Sequence, residues 1–124
     1  ARVVVLERTN ARYLTREILP VAPDVAVMDV SFISVKKVLP ALVPLMQKTA
    51  RLIILVKPQF EVGKNEIGRG GIIRDPEKHQ RVIDDITAFC RTLSLKNGGC
   101  IPSPVLGAKG IREFLLLETR QWEA

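Results

Sequence analysis

The 124-residue sequence contains few cysteines, few aromatic residues and one histidine, and each shortage argues against a class of protein. Two cysteines, Cys90 and Cys100, form no pattern typical of a disulfide framework, which favours a reduced, cytoplasmic compartment. His79 has no other soft ligand near it in the sequence, so we expect no metal site. Aromatic residues make up 5% of the chain, too few for a platform of several rings stacking on single-stranded nucleic acid.

Long apolar runs are also absent. No run approaches the roughly 18 residues that cross a bilayer, and no secretory signal is present, so we expect no transmembrane segment. The charge is unbalanced instead: 19 Lys and Arg against 13 Asp and Glu give a net charge of +6. A basic domain attracts phosphate backbones, although many soluble proteins are basic for other reasons.

Alternating apolar strands and amphipathic helices predict one α/β domain with a mostly parallel sheet. The apolar run at 25–29 is typical of a parallel strand buried on both faces, and two prolines place the strand at 100–106 at a sheet edge. The predicted strands are 3–6, 25–29, 52–56, 100–106 and 114–118, and the predicted helices are 10–19, 34–47 (with breaks at its prolines) and 75–97, with a long glycine-rich loop at 63–74.

Charged residues stand at the ends of three predicted strands. Asp29 and Lys57 each follow a strand, and adjacent parallel strands bring their carboxyl ends together. Glu113 precedes the last strand, so it lies at the same edge if that strand runs antiparallel. One geometric assumption therefore gathers all three side chains.

Three stretches of sequence carry a specific resemblance. They are Met28-Asp29-Val30-Ser31-Phe32-Ile33-Ser34, Lys57-Pro58-Gln59-Phe60-Glu61 and Ile111-Arg112-Glu113-Phe114-Leu115. This sequence resembles the hemolysin-TlyA family, whose members are similar to FtsJ-type 2′-O-methyltransferases acting on ribosomal RNA. The resemblance implies a Rossmann-like, S-adenosylmethionine-dependent methyltransferase sheet with flanking helices. It also implies S-adenosylmethionine as cofactor and ribosomal RNA or ribosomal subunits as partners.

By this resemblance, Asp29, Lys57 and Glu113 match the second, third and fourth members of the FtsJ-type Lys-Asp-Lys-Glu tetrad. Lys57 would act on the ribose 2′-hydroxyl, Asp29 would orient it, and Glu113 would complete the hydrogen-bond network. Taken singly, each residue has an ordinary alternative: a capping or strand-end aspartate, a solvated lysine, and a surface partner of Arg112. The surrounding motifs favour the catalytic interpretation.

Binding residues are suggested partly by the resemblance and partly by the basic glycine-rich loop. Asn10 and Asp29 would contact the cofactor, although a helix cap is an equal explanation for Asn10. Lys64, Arg69 and Arg74 would reach RNA phosphates from the glycine-rich loop, whose spacing matches no Walker or dinucleotide-binding motif. Two aromatic side chains, those of Phe32 and Phe60, either flank a base or cofactor or pack beneath the loop.

Residues 1–124 resemble only the second half of the family's catalytic domain. The first tetrad lysine, the glycine-rich cofactor loop and the N-terminal S4 domain have no counterpart, so N-terminal strands of the sheet would be missing. The chain also begins at Ala1 rather than methionine. We therefore expect a partial domain that is inactive alone, with sheet edges open to self-association.

Two other function classes compete with this interpretation. The first is a membrane-active haemolysin, which the family's traditional name suggests but which the absence of a basic amphipathic helix disfavours. The second is a non-catalytic RNA-binding module that has lost its cofactor. Retention of the three tetrad residues argues against that second alternative.

Overall fold

A four-stranded mixed sheet organises the computed structural model, which describes residues 2–63, 66–67, 71–107 and 110–121. Its strands are β1 (Val25–Met28), β2 (Arg51–Val56), β3 (Leu95–Pro102) and β4 (Phe114–Arg120). The α-helices are α1 (Leu39–Leu42) and α2 (Pro76–Thr92), and short 3-10 helices lie at Ala11–Tyr13, Val35–Lys37, Val43–Leu45 and Pro58–Phe60.

The strand order is β1-β2-β4-β3, with β2 and β4 in the centre. β1 and β2 are parallel, whereas β4 is antiparallel to both β2 and β3. The α/β class is confirmed. The expectation of a mostly parallel sheet is wrong for the described strands, because β4 enters the sheet from the opposite direction and β3 joins it as a hairpin partner.

One face of the sheet carries the core. On β2, Leu52, Ile54 and Val56 are fully buried, and they alternate with residues that are more exposed. This period of two is the pattern of a strand with one covered face. The covering elements are the helical segment from Val35 to Met46 and the apolar side of α2, which supplies Val82, Ile86 and Cys90.

Local capping signals fix where helical structure begins. Ser34 caps the 3-10 helix Val35–Lys37 by accepting a hydrogen bond from the Lys36 backbone, and Asp75 caps α2 in the same way through Glu77. The predicted breaks at Pro40 and Pro44 are confirmed, since the segment consists of a 3-10 turn, α1 and a second 3-10 turn.

The end of α2 was predicted too late. The helix ends at Thr92, and the segment predicted to finish it at 97 instead begins β3. Ser94 has a φ of +62°, which turns the chain back towards the sheet. β3 is an edge strand, as its prolines predicted, but it runs from Leu95 to Pro102 rather than over 100–106.

The N-terminal expectations are partly wrong. Residues 3–6 form no strand, and Val3, Val4 and Val5 are 72–79% exposed. β1 is present, but Val25 and Val27 are 54% and 70% exposed, so it is not buried on both faces. An apolar run predicts a buried strand only where another layer of the protein covers it. The described residues provide no such layer over residues 3–6 or over the exposed side chains of β1.

The helix predicted over 10–19 is much shorter than expected. Only Ala11–Tyr13 forms a 3-10 helix, and a separate turn follows in which the Thr15 carbonyl accepts from the Ile18 and Leu19 backbones. Arg16 ties this segment to the helical layer through a 2.9 Å bond from Nη2 to the Leu45 carbonyl.

Candidate active site

Asp29 and Lys57 form an ion pair at the carboxyl ends of β1 and β2. Lys57 Nζ lies 2.6 Å from Asp29 Oδ1. The parallel pairing of β1 with β2 produces this contact, because both residues leave the sheet at the same edge. The Lys57 side chain is 14% exposed and that of Asp29 is 60% exposed. The amine is therefore partly enclosed, while the carboxylate still faces solvent.

Ser31 is a further partner of the lysine, which sequence analysis missed. Lys57 Nζ donates a hydrogen bond of 3.0 Å to Ser31 Oγ. Its place two residues after Asp29 was the available signal. An ammonium group has three N–H donors, so contacts to Asp29 and Ser31 leave one to meet a substrate oxygen.

Glu113 lies at the same end of the sheet but makes a different contact. Val56 pairs with Phe114 across β2 and β4, so the residues just beyond them, Lys57 and Glu113, stand at one edge. The Glu113 carboxylate packs so closely against Gly107 that a Cβ added to this glycine would lie 2.7 Å from Oε2. Among the described residues, no hydrogen bond or ion pair joins Glu113 to Lys57.

A partly buried pair of hydrogen bonds to Glu61, here called the clasp, joins the two segments that carry the ion pair. Glu61 accepts hydrogen bonds from Ser34 Oγ at 2.5 Å and from the Val35 backbone at 2.9 Å. Burial raises the pKa of Glu61, and the bonds from Ser34 and Val35 partly offset that effect. Sequence analysis did not single out Glu61 as a site residue, because its partners lie 26 and 27 residues away.

Two aromatic side chains meet beside the clasp. The rings of Phe32 and Phe60 are 5.0 Å apart at an angle of 51°. Phe32 is 91% exposed and has a φ of +64°, an unfavourable backbone conformation for an aromatic residue. The strained backbone holds a large apolar ring in solvent beside the ion pair's loops, so Phe32 does not pack beneath the loop.

The structure shows no binding role for the remaining predicted binding residues that it describes. Asn10 Oδ1 accepts a 3.0 Å bond from the Arg12 backbone, which is the capping role considered as its alternative. Its cofactor role stays a prediction. Arg74 is exposed just before α2. Lys64 and Arg69 lie outside the described residues.

Two other kinds of feature are absent from the described parts of the chain. No three His, Cys, Asp or Glu side chains in these parts come together as a metal-binding group. No helix within the same ranges is long and apolar enough to cross a membrane.

Comparison with known proteins identifies the family. Residues 1–120 match the family model described as FtsJ-like methyltransferase. The chain is 45% identical over 120 residues to the 16S/23S rRNA (cytidine-2′-O)-methyltransferase TlyA of Mycobacterium tuberculosis. That alignment covers 96% of this chain and 45% of the relative, so the chain spans a little under half of the relative's length.

Two solved structures share this fold. A protein from Lactococcus lactis, described as a candidate hemolysin, superposes with a TM-score of 0.91 at 36% identity, over 97% of this chain and 58% of the other. A SAM-dependent methyltransferase from Methanosarcina mazei shares the fold at a TM-score of 0.55 and 16% identity, over 93% and 66% of the two chains. The chain belongs to the FtsJ-like methyltransferase family.

Proposed function

We propose that this chain forms the part of an rRNA 2′-O-methyltransferase that holds and activates the target ribose. The observation that carries the proposal is the contact of Lys57 with both Asp29 and Ser31 at the carboxyl ends of two adjacent parallel strands. The name of the Mycobacterium tuberculosis relative supports the same chemistry, since that protein is a cytidine-2′-O-methyltransferase of 16S and 23S rRNA.

The reaction requires a proton acceptor beside the ribose. In its neutral form, Lys57 takes the proton from the 2′-hydroxyl at Nζ while the 2′-oxygen attacks the methyl group. This step leaves Lys57 protonated, and the ion pair with Asp29 stabilises that charged form. Release of the proton to solvent then restores the neutral base. The hydrogen bond from Nζ to Ser31 Oγ fixes the direction of the amine, so the 2′-hydroxyl meets a proton acceptor held in place rather than a mobile side chain.

S-adenosylmethionine fits the described residues through one acidic group. Asp29 uses Oδ1 for Lys57, and its side chain is 60% exposed, so the other carboxylate oxygen would be accessible to a cationic group of a ligand. The cofactor, when bound, supplies a methyl group on a sulfonium. Asp29 would bind a cationic part of it, and the Asn10 amide would add a contact at its edge.

Ribosomal RNA, or a ribosomal subunit, is the proposed partner. Arg74 would contact phosphates of the RNA from its exposed position before α2. Lys64 and Arg69 would contact RNA phosphates together with Arg74. A ribosomal substrate would place the protein in the cytoplasm.

We further propose that the domain works only as part of a longer chain. The alignment with the tuberculosis enzyme covers 45% of that protein. The segments without a counterpart here would complete the cofactor site, and residues 1–124 alone would transfer no methyl groups. Addition of the N-terminal half to an expressed chain should then restore transfer.

The test is methyl transfer to rRNA by the protein that contains this chain, comparing Lys57→Ala with Lys37→Ala. Lys37 is an exposed lysine just beyond the clasp, and its substitution removes the same charge. We expect Lys57→Ala to lower kcat by roughly 100-fold or more, the range of a lost general base, and Lys37→Ala to leave kcat near that of the parent. Unchanged transfer in Lys57→Ala would overturn the assignment.

A further inference from the structure

A depression of about 390 Å³ lies between the start of α2 and the segment that precedes β4. Its walls include two arginines from separate segments: Arg74, which precedes α2, and Arg112, which precedes β4. Both residues are exposed. A guanidinium presents five N–H donors in a planar fork suited to phosphate oxygens, so two of them beside one depression would suit an anionic ligand.

His79 builds this depression by joining the two arginine-bearing segments. Its Nε2 donates a hydrogen bond of 2.7 Å to the carbonyl of Ile73, the residue before Arg74. Its ring also meets the ring of Phe114, two residues after Arg112, edge-on at 5.3 Å. One side chain of α2 therefore sets the relative position of the two arginines.

Each arginine retains donors for a ligand. Arg112 Nη1 makes one long hydrogen bond, 3.4 Å to the carbonyl of the buried Ser103, which anchors the guanidinium by one corner. Among the described residues, neither Asp75, which accepts from the Glu77 backbone, nor Glu113, which packs against Gly107, forms an ion pair with either arginine. The positive charge of the arginines is thus not cancelled by an ion pair among the described residues.

The position of the depression fixes its relation to the reaction. His79 lines the depression, and its ring contacts the ring of Phe114. Phe114 in turn pairs with Val56, which directly precedes Lys57. The arginines therefore lie on the β4 side of Lys57, whereas Asp29 lies on its β1 side. An RNA strand whose ribose reaches Lys57 would pass the arginines with its backbone.

We propose that Arg74 and Arg112 form a subsite for one backbone phosphodiester of the RNA, close to the target nucleotide, with His79 as a positioning residue. The assignment of RNA as the ligand rests on the proposed function. The same donors would also suit a free phosphate, so the experiment must separate the two ligands.

The test is fluorescence anisotropy of a labelled 20-nucleotide single-stranded RNA titrated with the protein that contains this chain, over a range of KCl concentrations. The variants are Arg74→Ala, Arg112→Ala and the double variant. The control is Arg51→Ala, an exposed arginine at the opposite end of β2, which removes the same charge. Circular dichroism checks whether loss of the Ser103 contact unfolds Arg112→Ala. If it does, Arg112→Lys, which retains the charge but not the planar fork, takes its place.

We expect each of the two Arg→Ala variants to weaken RNA binding by about 3-fold to 10-fold at low salt. Each should also reduce the slope of log affinity against log salt by about 0.7, the value for one lost single-strand phosphate contact. Arg51→Ala should leave the slope within error of the parent. Equal losses of RNA affinity in Arg74→Ala, Arg112→Ala and Arg51→Ala would overturn the subsite, because they would reflect net charge alone.

A second titration, with inorganic phosphate followed by calorimetry, distinguishes the ligands. Loss of phosphate binding in the double variant without loss of RNA affinity would overturn the RNA assignment. The outcome for catalysis is separate: Lys57→Ala decides the methyl-transfer assignment, and the arginine variants decide the subsite. Either can fail while the other stands.

Discussion

Glu61 accepts a hydrogen bond of 2.5 Å from Ser34, and this bond joins the segment after β2 to the segment after β1. Lys57 and Asp29 lie on these same two segments. The clasp therefore restrains the loops whose relative position sets the ion pair. A Glu61 oxygen also accepts from the Val35 backbone, so one carboxylate both links the loops and caps the helical segment that follows.

Removing the clasp should destabilise the fold and the site together. We expect Ser34→Ala to lower the free energy of unfolding by about 1 kcal/mol, as for a lost helix cap. Glu61→Ala should cost about 1–3 kcal/mol, since it leaves two partly buried donors without an acceptor. Urea denaturation measures both, with Glu17→Ala as an exposed glutamate control. A double variant whose loss equals the sum of the single losses would argue against a direct coupling.

Glu118 should make stability depend on pH. It is fully buried in β4, burial raises its pKa, and the Asn97 bond of 2.9 Å only partly offsets this. A raised folded-state pKa means that folding binds a proton. Stability from this group is complete below the unfolded value near 4.5 and is lost as pH rises through the raised pKa.

The Glu118→Gln variant isolates this effect. Glutamine cannot ionise, so the free energy of unfolding of the variant should fall less than that of the parent protein between pH 4.5 and pH 8. Part of the dependence should remain, because the pKa of Glu61 is raised in the same direction. Parallel curves for the two proteins in urea denaturation across this range would contradict the prediction.

The two cysteines should differ in reactivity. Burial, together with the neighbouring Glu118 charge, raises the pKa of the fully buried Cys90 thiol to about 12. Burial also raises the pKa of Cys100, but that residue is only half-buried. At pH 8, iodoacetamide should modify Cys100 first and leave Cys90 intact in the folded protein. Mass spectrometry of tryptic peptides checks the order, and equal rates in denaturant provide the control.

β1 is the proposed route to self-association. It is an edge strand, and Val25 and Val27 expose apolar side chains on it. We expect the isolated chain to associate as its concentration rises, and Val27→Lys to reduce that association. Ile101→Lys, at the opposite edge on β3, is the control. Sedimentation velocity at several concentrations measures the effect, and a monomer throughout would contradict it.

Sequence alone predicted the features that arise within a few residues. Asp75 and Ser34 cap their helices because a short side chain reaches a backbone N–H two residues away. The ends of β1 and β2 follow from apolar runs that stop at charged residues. The pairing of Asp29 with Lys57 could be predicted because parallel neighbours share one edge, a rule that needs only the order of the elements.

Tertiary structure decided what depends on distant partners. Whether residues 3–6 and β1 are buried depends on a covering layer, which an apolar run cannot specify. The Ser34–Glu61 clasp spans 27 residues, and His79 reaches Phe114 only because α2 packs beside the start of β4. The sequence thus determined the family, the local caps and the pairing of Asp29 with Lys57, whereas long-range packing determined which other side chains surround that pair.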